Sequence, residues 1–282
     1  MQGQTNTVDS LRRVFYEGFV AQDIAEPIAS FDTTADIDAV GTFMVDRPLS
    51  VVGIRHNGMI IGCIEQALYD DRPLTEQLVP LSEIQIVAAA TPLHTVVTAL
   101  SVAEFLLVSA LGQPVGVIVR NDFEKPPMRM WLFGMVTLFE LSLTRIVANH
   151  YQDDSWTEFV SASRYAKAVS LQSERRRRNQ SVRLIDCLQL GDKGQLLSRS
   201  EQLRKTYWDR SRSQIKTVLG QIEALRNNLA HSQPLVTENW DAIVRISATL
   251  ERFLEIPSEV ISPSSLSPYN SQLKSTRNRQ PE

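Results

Sequence analysis

The sequence predicts an α+β domain followed by an all-α helical bundle. In the first half, short β-branched runs alternate with helix-like segments, which is typical of an α+β domain. After Pro126–Pro127, apolar residues recur at helical spacing throughout. Charge divides at a similar place, since residues 151–282 hold 20 Lys+Arg against 15 Asp+Glu, whereas residues 1–150 hold 9 against 17. The basic second half is therefore the better candidate for a polyanionic partner, although solubility alone also produces such a difference.

Length and composition bound the class of protein. A chain of 282 residues with 43% hydrophobic residues has room for two globular domains. No window of about 20 apolar residues is free of charge, and Glu104 interrupts the nearest one, Val96–Leu111. We therefore expect no membrane span, no secretion signal and a cytoplasmic location. Cys63 and Cys187 lie far apart in sequence, which fits a reducing compartment without a disulfide framework.

A strand–turn–strand pattern occurs twice in the first half. Pro48–Ile54 and Met59–Ile64 are apolar runs around the turn signal His56-Asn57-Gly58, which predicts a hairpin. Thr95–Ser109 has the length and apolar spacing of a helix, and the buried-strand run Val115–Arg120 follows the turn Gly112-Gln113-Pro114. The same unit is therefore expected twice, within a first domain at residues 1–125.

From residue 126 the pattern predicts helices only. Trp131–Tyr151 carries an amphipathic stripe. Further helices are expected at about 155–175, 181–197, 199–232 and 238–255, within a second domain at residues 126–257. Residues 258–282 are rich in Ser and Pro and poor in large apolar groups, so we expect a disordered tail there.

The twice-repeated unit resembles a CBS pair (a Bateman module) over roughly residues 20–125. The matching features are Asp23–Ile28 before the first repeat, Gln85–Val87 with Pro92 before the second, and the strand–turn–strand of each. Repeats of that family end in a Gly followed by an Asp, and Gly116–Asp122 fits, whereas Gly62–Leu68 does not. The resemblance thus implies one competent site, in the second repeat, for an adenine nucleotide.

Two residues are the candidates for nucleotide binding. A carboxylate such as Asp122 can accept two hydrogen bonds from a ribose diol, and Arg120 could meet a phosphate. AMP, ADP or ATP would then be an effector. Val119 stands where the family usually has Ser or Thr, which removes a hydroxyl. The alternative is a module that only dimerises the protein, with Asp122 capping a helix.

A second motif lies near the end of the long helix expected over 199–232. The segment from Glu223 to His231 contains Arg226, then the polar Asn227, then His231 in the spacing R-x4-H. This resembles the motif of HEPN ribonucleases, and its place in an all-α bundle with one more helix after it fits that family over about residues 130–256. Short R-x4-H strings also arise by chance, so the helical context carries most of the weight.

A helical projection singles out the same arginine. At about 100° per residue, Arg226 lies roughly 40° from Ile222, at the edge of an apolar stripe, where a guanidinium needs partners or a cleft. His231 lies about 140° from Arg226 on an ideal helix. Either Pro234 loosens the helix near Ser232-Gln233, or Arg and His from two protomers meet across a two-fold axis. We favour a composite site in a homodimer or higher homo-oligomer.

The HEPN resemblance implies metal-independent cleavage of RNA by its own 2′-hydroxyl, without a cofactor for catalysis. Histidine gains and loses protons near neutral pH, so His231 is the candidate general acid or base. Arg226 would clamp the phosphate and offset developing charge, and Asn227 could position either group. The products would be a 2′,3′-cyclic phosphate and a 5′-hydroxyl. Alternatively, the two residues only cap carbonyls or pair with Glu223, in a non-catalytic binding domain.

The densest cationic run contributes a candidate RNA contact. Arg175, Arg176, Arg177 and Arg178 could track an RNA backbone without choosing a sequence. The alternative is a solvated helix end, where basic side chains complement the helix dipole. The four histidines show no ligand spacing, and no Walker, Gly-x-Gly-x-x-Gly or His-Glu-x-x-His motif occurs, so no metal site is expected.

Together these features predict a stress- or defence-type ribonuclease regulated by a nucleotide bound near Asp122. The main rival is a dimeric, nucleotide-sensing regulatory protein without catalysis. The environment of Arg226 discriminates between them, because a catalytic site needs this arginine exposed in a cleft, whereas a structural role needs a buried carboxylate partner.

Overall fold

Within residues 2–231, 233–235 and 240–254, which the computed structural model describes, the chain forms eight strands and ten α-helices. The strands are β1 (Glu26–Pro27), β2 (Ser30–Asp32), β3 (Val51–His56), β4 (Met59–Glu65), β5 (Val79–Pro80), β6 (Ile86–Ala88), β7 (Phe105–Ala110) and β8 (Gln113–Val119). The helices are α1 (Gln2–Glu17), α2 (Ile37–Asp46), α3 (Leu74–Gln77), α4 (Leu93–Leu100), α5 (Pro126–His150), α6 (Ala162–Arg177), α7 (Leu190–Arg199), α8 (Glu201–Tyr207), α9 (Arg212–Ala230) and α10 (Trp240–Leu254).

The eight strands form two sheets of identical topology. One sheet has the order β2-β3-β4-β5 and the other β6-β7-β8-β1. In each sheet, the first strand pairs in parallel with the strand that follows the helix. That second strand forms an antiparallel hairpin with the third, and the third pairs antiparallel with the fourth. The fourth strand always precedes the other repeat, since β1 joins the second repeat and β5 the first. The two repeats therefore exchange their leading strands.

The hairpin turns show where sequence reading succeeded and where it failed. Asn57 and Gly58 both have positive φ, which confirms the predicted Asn-Gly turn. The second turn is Leu111–Gly112, with φ of 51° and 79°, rather than the predicted Gly112-Gln113-Pro114. A leucine seldom adopts this left-handed conformation, so residue preferences do not predict a turn at Leu111.

The helix predicted over Thr95–Ser109 is wrong. Helix α4 ends at Leu100, and Phe105–Ala110 is strand β7, whose first four residues are buried. A continuous apolar run fits a buried strand as well as a buried helix, so periodicity alone could not separate the two. The predicted strands around Pro48–Ile54, Met59–Ile64 and Val115–Arg120 are confirmed as β3, β4 and β8.

Glycine is required at one equivalent point of each repeat. A Cβ on Gly62 would lie 2.3 Å from the carbonyl oxygen of Val79, and one on Gly116 would lie 2.9 Å from that of Glu26. Both clashes come from the exchanged leading strand. The glycines therefore admit the backbone of the other repeat's strand, whatever follows them in sequence.

The buried apolar side chains of the N-terminal part form two core clusters. One core cluster belongs to the first repeat and contains Val40, Met44, Val52, Ile54, Ile64 and Leu74. A second cluster combines side chains of both sheets, and its buried members are Val51, Cys63, Phe105, Leu107 and Val117. Burial raises the pKa of the Cys63 thiol to about 12, with the charge of Glu65 adding to the effect. This cysteine therefore packs as an apolar side chain.

The described residues after 150 are helical, but with more breaks than predicted. The helix expected over 155–175 begins at Ala162, after a 3₁₀ segment. The one expected over 181–197 begins at Leu190, and the one expected over 199–232 is two helices, α8 and α9. Asp209 adopts a positive φ of 40° between them, and Ser211 and Gln214 then cap α9 reciprocally. The predicted tail, 258–282, lies outside the described residues.

The chain divides into two compact units that are not consecutive in sequence. The first comprises Met1–Gly134 and Asn228–Ser247, and the second comprises Met135–Asn227 and Ala248–Glu282. The predicted domain boundary at Pro126 stays a prediction. Helix α5 is the one described helix that is long and apolar enough to cross a membrane. Most of that stretch is buried inside the protein, which accounts for its apolar character.

Candidate functional site

Arg226 and Asn227 lie on the last two turns of α9, in the second unit. The helix buries one stripe, formed by Ile215, Val218, Leu219, Ile222 and Leu225. Arg226 follows this stripe and keeps 37% of its side chain exposed, while Asn227 is exposed. The predicted placement of Arg226 at the edge of an apolar stripe is therefore confirmed.

A carboxylate from α5 lies beside Arg226 but is held mainly by another cation. The Nζ of Lys193 is 3.1 Å from Oε1 of Glu140, whereas Nη1 of Arg226 is 3.9 Å from Oε2. Lys193 is buried, so its ammonium needs this partner to offset the loss of water. A separation of 3.9 Å is beyond hydrogen-bonding range. Arg226 thus has a nearby negative charge without being fixed by it.

His231 lies on the turn after α9, in the first unit, and its side chain is exposed. The helix ends at Ala230, so the predicted end of regular helix geometry before Pro234 is confirmed. Beyond it, the N–H of Gln233 donates to the carbonyl of Asn228 at 3.0 Å. Ser232 is outside the described residues. His231 is therefore a loop residue with an accessible ring.

Arg129 fixes the segment around His231, and sequence reasoning missed it. Its guanidinium donates to the carbonyl oxygens of Asn228 and Gln233 at 3.2 and 3.0 Å, and to Glu124 at 3.0 Å. Glu124 in turn accepts from the N–H of Leu235 at 2.5 Å. Arg129 thus gives the carbonyl of Asn228 a second donor beside the N–H of Gln233, and it pairs the carbonyl of Gln233. A charge at the start of the apolar α5 was the available signal.

Asp122 is buried, with 5% exposure, in the 3₁₀ turn that follows β8. Its Oδ2 accepts from the N–H of Val119 at 2.7 Å, and its Oδ1 lies 2.8 Å from Nζ of Lys125. Lys125 also contacts Glu26 and the carbonyl of Ile24. Burial alone would lower the pKa of the Lys125 ammonium, but its bonds to Asp122 and Glu26 raise it on balance.

This geometry matches the capping role that was the alternative for Asp122. Each carboxylate oxygen has one partner and can accept a further hydrogen bond, so a ribose diol bound at Asp122 would share the carboxylate with Val119 and Lys125. Arg120 is also engaged, by Glu104 at 3.2 Å and by the ring of Trp240 at 5.5 Å from its centroid. In the first repeat the equivalent position is Leu68, which is exposed.

The run Arg175–Arg178 forms the C-terminal end of α6. Arg178 pairs with Glu174 at 2.5 Å, and the carbonyls of Arg175 and Arg176 accept the capping bonds of Arg178 and Asn179. Arg176, Arg177 and Arg178 are exposed. Basic side chains at this end complement the helix dipole, and they remain available to a polyanion.

Three cavities lie on the second unit. One of about 410 Å³ is lined by Tyr151, Trp156, Arg176 and Arg183 among others. Arg183 is neutralised there by Asp186 at 2.9 Å. The other two, of about 350 and 510 Å³, adjoin the start of α9. Among the described residues, no group of three or more His, Cys, Asp or Glu side chains is placed to hold a metal ion.

The sequence matches no family model and no curated protein. Its N-terminal part is similar to solved CBS structures. One is a putative acetoin utilization protein (AcuB) from Vibrio cholerae, at 19% identity and a TM-score of 0.33, covering 37% of this chain and 86% of that one. Another is CBSX2 in complex with AMP, a protein from Arabidopsis thaliana, at 14% identity and a TM-score of 0.33, covering 37% and 92%.

A third is the CBS domain of the bacterial CNNM/CorC family Mg2+ transporter in complex with ATP, at 13% identity and a TM-score of 0.33, covering 42% and 93%. Likenesses of this strength carry no argument about function. The topology itself, two repeats that exchange their leading strands, is the CBS-pair fold expected for the N-terminal part. The C-terminal region is helical as predicted, and its HEPN-like character stays a prediction.

Proposed function

We propose that the chain is a metal-independent endoribonuclease in which Arg226 and His231 act on the scissile phosphate of RNA. The proposal takes the pair from the R-x4-H motif. The observation that supports it most is the state of Arg226, whose side chain is 37% exposed and whose guanidinium lies 3.9 Å from the carboxylate of Glu140. An arginine in this state can donate hydrogen bonds to a phosphate without first breaking a close ion pair.

The reaction we propose is an internal transesterification. The 2′-oxygen attacks the adjacent phosphorus, the bond from phosphorus to the 5′-oxygen breaks, and a 2′,3′-cyclic phosphate and a 5′-hydroxyl result. One proton leaves the 2′-hydroxyl and one reaches the 5′-oxygen, and His231 serves one of these transfers. Arg226 offsets charge on the non-bridging oxygens, and Asn227 positions the phosphate or the ring.

The active site is proposed to be composite, with Arg226 of one protomer serving the same phosphate as His231 of its partner. The HEPN resemblance is what favours this arrangement, since α9 ends at Ala230 and His231 is not held at a helical angle to Arg226. Mixing Arg226→Ala with His231→Ala protein should then restore part of the activity, because mixed dimers hold one intact site. No recovery from a mixture proven to exchange subunits would rule out the composite site.

The N-terminal CBS pair is proposed to regulate cleavage by binding an adenine nucleotide in the second repeat, as the sequence from Gly116 to Asp122 implies. A ribose bound at Asp122 would share its carboxylate with Lys125, which makes the Asp122–Lys125 pair the expected point of change. Coupling further requires two states of different nucleotide affinity. Buried thiols at Cys63 and Cys187 fit the proposed cytoplasmic setting.

The second candidate is a dimeric, nucleotide-sensing regulatory protein without catalysis. The nearness of Glu140 to Arg226 favours it, because a carboxylate neighbour is what a structural arginine would have.

Incubation of single-stranded RNA with wild-type protein and His231→Ala, in EDTA and with or without AMP or ATP, separates the two candidates. His56→Ala is the matched control, since His56 is also exposed. The ribonuclease proposal expects cleavage by wild type and by the control, and none by His231→Ala. Equal cleavage by all three, or none by any of them on single-stranded or structured RNA, would overturn it.

A further inference from the structure

A second cationic surface, different from the Arg175–Arg178 run, surrounds the junction of α8 and α9. Residues 199–216 contain six Lys and Arg side chains against two acids. We call the six the α8–α9 basic surface: Arg199, Arg204, Lys205, Arg210, Arg212 and Lys216. In sequence they are spread through amphipathic helices. Five of the six, all except Lys216, line two cavities near the break at Trp208–Ser211.

These charges are largely uncompensated. Lys205 pairs with Glu201 at 2.8 Å. Among the described residues, none of the four arginines of this surface pairs with a carboxylate. Arg212 instead donates to the backbone carbonyl of Arg199 at 3.1 Å. This contrasts with Arg178 and Arg183, which each hold a close carboxylate.

The surface is concave at two neighbouring places. A cavity of about 350 Å³ is lined by Arg204, Lys205 and Arg210 together with the carboxylates Glu201 and Asp209, and one of about 510 Å³ is lined by Arg199 and Arg212. The bond from Arg212 to Arg199 and the capped start of α9 lie between them. Both volumes are within the range of small-ligand sites. Each cavity therefore offers room and a net positive charge for one anionic group, and no carboxylate is among the described residues that line the larger cavity.

Polar and aromatic side chains complete the two cavities. Ser211 and Gln214 line the smaller one, while Phe159, Gln195 and Ser198 line the larger. The guanidinium of Arg199 lies 5.9 Å from the centroid of the Phe159 ring, which is itself 36% exposed. Aromatic rings and arginine planes stack on unpaired bases, and cationic grooves follow their phosphates. A lipid surface would need a broad apolar face beside the charges.

We propose that the α8–α9 basic surface is a docking site for single-stranded nucleic acid, with successive phosphates in the two cavities and a base against Phe159. The identity of the polymer as RNA rests on the proposed ribonuclease function. The surface would hold the strand away from the scissile bond, adding affinity without sequence choice.

Binding of a fluorescein-labelled 2′-O-methyl U15 oligonucleotide, followed by fluorescence anisotropy at several salt concentrations, tests this. That probe lacks the attacking hydroxyl, so the readout is independent of catalysis. The variant is Arg199→Gln with Arg210→Gln, one residue from each cavity. The control is Arg13→Gln with Lys167→Gln, which removes the same charge from exposed positions elsewhere.

The proposal expects the variant to bind about tenfold more weakly than wild type and to reduce the salt slope by about 1.4, since each lost single-strand contact contributes about 0.7. The control should match wild type. Equal binding by variant and wild type, or equal loss in both variants, would overturn the proposal. Binding to vesicles of phosphatidylserine and phosphatidylcholine but not to the oligonucleotide would do the same. If binding behaves as expected but RNA is not cut, only the ribonuclease proposal fails.

Discussion

Two arginines, Arg129 in the first unit and Arg226 in the second, stand in opposite states. Arg129 is 18% exposed and makes three hydrogen bonds at 3.0–3.2 Å, two of them to carbonyls around the end of α9. Arg226 is 37% exposed and has one carboxylate at 3.9 Å. The role of a charged residue on an apolar helix is therefore indicated by the hydrogen bonds and ion pairs that it makes. Arg129 is fixed by its own fold, whereas Arg226 is left available.

The largest change that we expect is a loss of RNA cleavage rate in the variant Arg226→Ala. Loss of a charged group that stabilises the transition state typically costs about 10²–10³ in rate. Because Arg226 makes no close bond, we expect the midpoint of urea unfolding to remain near that of wild type. Cleavage assays and unfolding curves on the same preparation measure both. Wild-type cleavage combined with a large loss of stability would instead assign Arg226 a structural role.

At Arg129 we expect the opposite result, a loss of stability instead of a loss of cleavage. We expect Arg129→Ala to lower the free energy of unfolding by about 2–3 kcal/mol, since three hydrogen bonds from a charged group are lost and the carbonyl of Gln233 loses this donor. Urea denaturation measures it, with the exposed Arg13→Ala as the control. An unfolding free energy equal to that of wild type would show that Arg129 does not hold the segment around His231.

A double-mutant cycle quantifies how loosely Arg226 is held. We expect the coupling between Arg226 and Glu140 to be below about 1 kcal/mol, because the separation is long and the arginine is partly exposed. The coupling between Lys193 and Glu140 should be larger, because Lys193 is buried and 3.1 Å away. Glu140→Gln, Arg226→Ala and Lys193→Met supply the variants. The reverse order of coupling energies would contradict the comparison.

The smallest effect concerns a third, closely paired arginine, Arg183. Burial would raise the pKa of Asp186, but the hydrogen bond and charge of Arg183 lower it below its ordinary value of 3.8. The pair therefore stabilises the protein above that value, and this contribution is lost as the pH falls through the lowered pKa. Unfolding measured between pH 6 and pH 2, with Asp186→Asn as comparison, should show a shallower acid loss in the variant.

The sequence was sufficient for the hairpin of β3 and β4 with its Asn57–Gly58 turn and for the apolar face of α5, because these follow from local periodicity and turn chemistry. It did not separate α4 from β7, since both are continuous apolar segments. Nor could it place Lys193 beside Glu140 or Lys125 beside Asp122, which depend on tertiary packing. The motif Ser211-x-x-Gln214 is a capping-box signature for the start of α9, and the prediction of a single long helix over 199–232 did not take it into account.

The proposal that this chain cuts RNA through attack of the RNA 2′-hydroxyl on the adjacent phosphate is tested by the chemistry of the product ends. Wild-type protein is incubated with an RNA oligonucleotide in EDTA, and the fragments are analysed by mass spectrometry beside a His231→Ala control. We expect 2′,3′-cyclic phosphate and 5′-hydroxyl ends from wild type and intact RNA from the variant. Fragments with 5′-phosphate and 3′-hydroxyl ends, or the same fragments from both proteins, would contradict the claim.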